Sequence, residues 1–299
     1  MEIVNIEVTG KKSLTLPWEE IQIMPIGDVQ LGSRGVDIDR LKMQIKWAND
    51  QTAAGGPPVY FIGMGDYIDV MSPSNREAWR STRLYDSVRQ AMEDKATELE
   101  NEFLRLVAGT EGRWLGLLHG HHYFEHEDGT TSDTRIAQAL QSTYLGTCAF
   151  VSVTFTKRVE EGARSGRSLR CVIWAHHGAG NGVTPHAPLT RLTNIMQFFE
   201  ADIYILGHET KRPVVPVPRI YMSDHAPYRL IARKKILAGT GGFTKGYEAH
   251  STNIGGRAEG SYVEQAMMNP VSLGSILLKI RPVFGSRGTV DRLDLNVEV

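Results

Sequence analysis

At five places along this chain a short apolar run ends in an acid or an imidazole with glycine beside it. The run at 21–26 leads to Gly27-Asp28-Val29-Gln30. Val59 to Ile62 leads through Gly63-Met64-Gly65 to Asp66, and Trp114 to Leu118 leads to His119-Gly120-His121-His122. Residues 167–175 lead to His176-His177-Gly178, and Ile203 to Leu206 leads to Gly207-His208-Glu209-Thr210. Six of the ten histidines stand at these junctions. One such Asp is ordinarily a turn cap, and one such His a hydrogen-bonded structural residue; recurrence in one chain is harder to explain that way. Brought together, these acids and imidazoles repel and desolvate one another unless a cation or a proton offsets them. Asp with neutral His suits first-row divalent metals such as Mn, Fe, Co, Ni or Zn.

The apolar runs have the length and β-branched or aromatic character of buried strands. Parallel strands of one sheet end on one edge, which is where open α/β sheets hold ligands. Gly63 and Gly65 let the backbone turn beside Asp66. Helices are expected at about 38–50, capped by Asp37, and at 83–108, 133–142 and 188–200. Residues 72–82 read as polar and irregular. Further strands are expected at 2–8, followed by a turn at Lys11 and Lys12, at 149–157, and near 218–222, 228–239, 274–282 and 290–298.

Composition narrows the function classes. The chain has 299 residues, 33 Lys+Arg and 34 Asp+Glu, for a net charge of −1. No overall basic field draws it to nucleic acid. Two cysteines, Cys148 and Cys171, do not make a disulfide framework. The N-terminus alternates like a strand and lacks a signal peptide's apolar core, and no run approaches the ~18–20 residues of a membrane span. These features predict a soluble cytoplasmic protein with no membrane partner. No repeat or long linker divides the chain, so one domain over 1–299 is expected.

In order and rough spacing, the five junctions resemble the signature of the calcineurin-like metallophosphoesterases: Asp-x-His, Gly-Asp, Gly-Asn-His, a strand-ending His, and Gly-His-x-His. The match runs over about residues 21–210. The stretch His177-Gly178-Ala179-Gly180-Asn181-Gly182 is similar to phage and bacterial members. The resemblance implies an α/β fold, a four-layer αββα sandwich of two mixed β-sheets flanked by helices, with the residues after 238 closing the second sheet. It implies divalent ions (Mn2+, Fe2+, Zn2+ or Ni2+), one or two per chain. Asp66 would bridge two ions. Asp28 and Gln30 would serve metal one. His121, the fourth-block histidine and His208 would serve metal two. Following Gly178 favours His177 over His176 as the fourth-block ligand, and the strand period does not decide. His122 matches the catalytic His that protonates the leaving oxygen or stabilises phosphate charge.

Three positions depart from the signature. Gln30 and Thr210 stand where histidines are expected, and His121 stands for an Asn. Two of the three fall on metal one, so that ion is expected to bind weakly or not at all. His126 and His186 are the histidines considered as replacements. Arg34, in the Gly-rich loop after Asp28, is a candidate to touch a substrate phosphate, against the alternative of a solvated loop arginine. Arg76, Arg80 and Arg83 are weighed the same way, and Trp79 and Tyr85 as base-stacking or core residues. The expected activity is hydrolysis of phosphodiester or phosphomonoester bonds, in a phosphorylated small molecule or nucleic acid. The alternative is a metal-binding member of the fold with little catalysis and an interaction role.

Overall fold

The computed structural model describes residues 10–81, 85–157, 168–180, 182, 184–222, 228–248, 250–252, 255–265, 267, 269–270, 272–285 and 291–299. In chain order the elements are β1 (Gly10–Pro17), β2 (Ile21–Ile26), α1 (Ile38–Ala53), β3 (Val59–Gly63), α2 (Pro73–Ser81), α3 (Asp86–Leu106), β4 (Trp114–Leu118), α4 (Ser132–Ala139), β5 (Tyr144–Gly146) and β6 (Cys148–Thr156). They continue with β7 (Ser168–His176), α5 (Ala187–Ile195), β8 (Ile203–Leu206), β9 (Val214–Met222), β10 (Leu230–Gly239), β11 (Gly241–Gly242), α6 (Tyr262–Gln265), β12 (Gly274–Ser275), β13 (Leu277–Val283) and β14 (Arg292–Glu298). The fold is mixed α/β. Two six-stranded sheets dominate it, ordered β1-β6-β7-β8-β10-β9 and β14-β13-β2-β3-β4-β5.

Each sheet contains a parallel run. In the second sheet β2, β3, β4 and β5 are parallel neighbours. In the first, β8 pairs in parallel with both β7 and β10. Strand alternation sends neighbouring residues to different cores. Ile62 joins Ile23, Leu115, Val151, Ile173 and Ile203 in a cluster drawn from both sheets. Phe61 joins Leu41, Phe103 and Ile136, so the second sheet packs on α1, α3 and α4. Trp174, Tyr204 and Leu237 of the first sheet pack on Leu192 and Met196 at α5. The helix starts follow from local chemistry. Asp37 Oδ1 accepts from Arg40 N at 3.1 Å to cap α1, and Thr131 and Thr134 form a reciprocal capping box at α4.

Some expectations need correction. Lys11 and Lys12 lie within β1, not in a turn, and the strand expected at 2–8 lies outside the described residues. Residues 73–81 are helical rather than irregular. Pro73 suits a first helical turn, and the helix turns Arg76 inward, so the usual apolar stripe is missing. The long helix begins at Asp86; Val88 and Ala91 face solvent, and burial starts at Ala96 and continues through Leu99 and Phe103. The three-residue strand β5 is too short to read as a pattern. No helix of the described residues is long and apolar enough to cross a membrane.

Candidate metal centre

The five junctions meet where the parallel strands of both sheets end. Their backbone is strained. Asp28, Gln30, Asp66, His208 and Thr210 all hold positive φ, between 48° and 66°. Side chains other than glycine rarely adopt this conformation, and its cost is tolerated mainly at functional sites. The loops are pinned to one another. Asp28, Val29 and Gln30 donate their amides to the Gly65 and Asp66 carbonyls, at 2.9–3.0 Å. Gly120 permits the closest approach: a Cβ there would collide with Asp66 N and Oδ1.

Ligand atoms of Asp66, His121, His177 and His208 all lie within 4.8 Å of one another. The second sheet supplies the first two, after β3 and β4. The first sheet supplies the others, after β7 and β8. Ring centroids of the three histidines are 4.6–5.3 Å apart. Asp66 Oδ2, His121 Nδ1 and His177 Nε2 are buried with no hydrogen-bond partner, and so is the neighbouring Asp28 Oδ1. Buried polar atoms are nearly always satisfied. Three of these orphan atoms belong to residues of the four-residue cluster, which has the chemistry of a cation cradle, and a divalent ion suits it.

Outer contacts orient these ligands. His177 Nδ1 lies 2.6 Å from the Met64 carbonyl. A carbonyl can only accept, so Nδ1 carries the proton and Nε2 keeps its lone pair. His208 Nε2 lies 2.8 Å from the Gly180 carbonyl, which by the same logic leaves Nδ1 to ligate. Asp66 Oδ1 accepts the amides of His121 and His122, the latter at 2.9 Å. Asp28 Oδ2 accepts the His208 amide at 2.9 Å. Asp133, also buried, accepts the Gly120 amide at 3.0 Å.

The electrostatics carry the mark of an uncompensated site. Burial pushes the Asp28 carboxyl up to about 7, with Asp66 adding to the rise and His177 opposing it. Burial also raises Asp66, but the charge of His177, whose Nε2 lies 3.4 Å from Oδ2, prevails and holds it below the usual carboxylate range. Burial drives His177 down, yet Asp66 and Asp28 outweigh it and set the imidazole at about 9. Burial and then the charge of His177 lower His121 to about 4 and lower His208 as well. The protein alone therefore places a proton between the acids, where a cation would serve instead.

His122 stands beside the quartet. Its Nδ1 is 2.9 Å from Asp69 Oδ1. Burial opposes its protonation, but the Asp69 hydrogen bond and the Asp66 charge raise the imidazole above its ordinary value.

Of the two fourth-block histidines, His177 enters the quartet and His176 does not. His176 is the last residue of β7, stacks on Trp174 at 5.7 Å and accepts the Gly178 amide at 2.7 Å. Asp28 adjoins the quartet without joining it. Gln30 Oε1 accepts from Thr244 Oγ1 at 3.1 Å. The Thr210 methyl is turned toward Gly242, where a Cβ would meet it at 2.9 Å. Arg34 is exposed and donates to the Thr252 carbonyl at 3.0 Å. His126 is buried between Glu100 and Glu93, at 2.6 and 3.2 Å, and His186 is exposed before α5. Trp79 packs in a small cluster with Met71 and Phe124, and Tyr85 is exposed. Arg76 is buried; the Arg80 side chain and Arg83 lie outside the described residues.

Sequence reasoning passed over Asp69, Asp133 and the Met64 and Gly180 carbonyls. Asp69 had a signal, since it lies three residues after Asp66; a backbone carbonyl has none. Glu209, between His208 and Thr210, is buried and pairs with Arg191 at 3.0 Å, and Arg191 also holds the Ala179 carbonyl. That tie secures the loop whose Gly180 orients His208.

No protein-family model matches this chain, and no curated protein matches it.

Proposed function

We propose that this chain is a divalent-metal-dependent phosphoesterase of the calcineurin-like kind. One observation carries the reading: Asp66, His121, His177 and His208 bring their ligand atoms within 4.8 Å, with buried lone pairs left unused. Three apolar clusters support the αββα layering, because one lies between the sheets and two lie between a sheet and its helices.

Asp66, His121, His177 and His208 would hold an ion such as Mn2+, Fe2+, Zn2+ or Ni2+, with Asp28 at its edge. A bound ion supplies an activated water and offsets phosphate charge. His122, protonated and steadied by Asp69, donates to the leaving oxygen or stabilises the phosphate. The Met64 and Gly180 carbonyls keep His177 and His208 in their ligating tautomers. The expected substrates are phosphodiesters of nucleotides or nucleic acid, or smaller phosphorylated molecules.

A second reading is a metal-binding protein with little catalysis. The bond between Gln30 Oε1 and Thr244 favours it, because that bond draws on an uncharged oxygen that a second ion would have to share. Hydrolysis of bis-p-nitrophenyl phosphate with Mn2+ separates the two. The first reading expects turnover that His122→Ala lowers by about 100-fold or more, the usual scale for a general acid. No turnover with any divalent metal supports the second. Two tightly held ions per chain by elemental analysis would overturn the single-ion form of either reading.

A further inference from the structure

We propose that Arg76 is a positioning residue for the metal centre, fixing the peptide strap 121–123 that carries His121 and His122. The inference rests on reading that centre as a metal site.

Arg76 lies on α2 and is 8% exposed. Its Nη1 donates to three backbone carbonyls: Met71 at 3.1 Å, His121 at 2.7 Å and Tyr123 at 3.0 Å. The guanidinium lies 3.8 Å over the Tyr123 ring, and His119 packs on that ring with centroids 4.1 Å apart. The strap is gripped from both edges. Its carbonyls at 121 and 123 go to Arg76, and its amides at 121 and 122 go to Asp66 Oδ1. Flipping the 121–122 peptide breaks a charge-assisted bond on each side, to Arg76 and to Asp66, and strands buried polar groups. The direction of the His121 imidazole is thus set by a residue on another element. A buried cation is costly without strong acceptors, and two of the three acceptors here belong to the strap that carries His121 and His122.

The test uses Co2+ as probe, by calorimetry and visible absorption, on the full chain. Arg76→Met keeps the stem and removes the donors. It should weaken Co2+ by about tenfold or more, the scale for losing an outer partner of a ligand. The absorption should also change shape as His121 shifts. Arg76→Lys and added guanidinium should each restore part of the affinity. Arg113→Met is the control for general destabilisation. Arg113 also holds backbone carbonyls, Val59 at 3.1 Å and Gly109 at 2.7 Å, but at the opposite end of β3. Its loss should lower the melting temperature and leave Co2+ binding unchanged. Wild-type affinity and spectrum in Arg76→Met would overturn the inference alone, as would an equal loss in Arg113→Met. Failure of the unmodified chain to bind Co2+ would overturn the metal reading and this inference with it. If Arg76→Met does not fold by circular dichroism, the comparison of Arg76→Lys with the unmodified chain decides.

Discussion

His177 donates its Nδ1 proton to the Met64 carbonyl at 2.6 Å, and this bond ties the loop after β7 in one sheet to the loop after β3 in the other. It also aims Nε2 at Asp66 Oδ2, 3.4 Å away. His177→Ala should therefore cost more metal affinity than the ~10- to 100-fold typical of an outer-contact loss. The clearest readout is thermal: ligand at about 100 times Kd stabilises a fold by about 2.7 kcal/mol. That shift should appear in the unmodified chain with Mn2+ and vanish in the variant.

Asp69→Asn keeps the shape of the His122 partner and removes its charge. It should lower kcat on an aryl phosphodiester and leave KM nearly unchanged, by less than the ~100-fold or more assigned to removing His122 itself. Steady-state kinetics of the two single variants and the double variant check this. A double variant no worse than His122→Ala places both residues in one unit.

Gly120→Ala tests how tightly the loops are fitted. The added Cβ meets the Asp66 amide and carboxylate, and backbone cannot swing aside as a flexible side chain would. Overpacking of this kind costs about 1–3 kcal/mol. Urea denaturation should show that loss, with metal affinity falling in parallel.

Asp202 offers a pH test away from the centre. Its Oδ2 accepts the Val172 amide at 2.8 Å, and burial raises its carboxyl above the usual value, with that hydrogen bond opposing. A raised acid means the folded chain holds the proton that the unfolded chain releases. Stability from this group is therefore greatest below the unfolded Asp value of ~3.9 and declines as pH climbs to the folded value. Asp202→Asn retains the acceptor and should flatten that decline. The difference between the two chains' urea midpoints from pH 3 to 8 measures it.

The strand ends were legible because an apolar run ending in an acid or His beside glycine is a local pattern. Asp28, Asp66, His121, His122, His177 and His208 all fall where such patterns end. The strand period did not choose between His176 and His177, because that depends on whether the strand stops at the first or the second; the following Gly178 favoured His177, which is the one in the cluster. Helix α2 was hidden by Arg76, whose inward face carries charge where a periodicity search counts only apolar residues. The engagement of Gln30 with Thr244 joins residues 214 positions apart, and nothing local signals it.

Neither sheet owns the centre: Asp66 and His121 come from one, His177 and His208 from the other. A cation seated among them is a crosslink spanning residues 66 to 208 of the chain. Removing such an ion would unfasten the seam between the two sheets, so metal loading should govern how cooperatively they unfold.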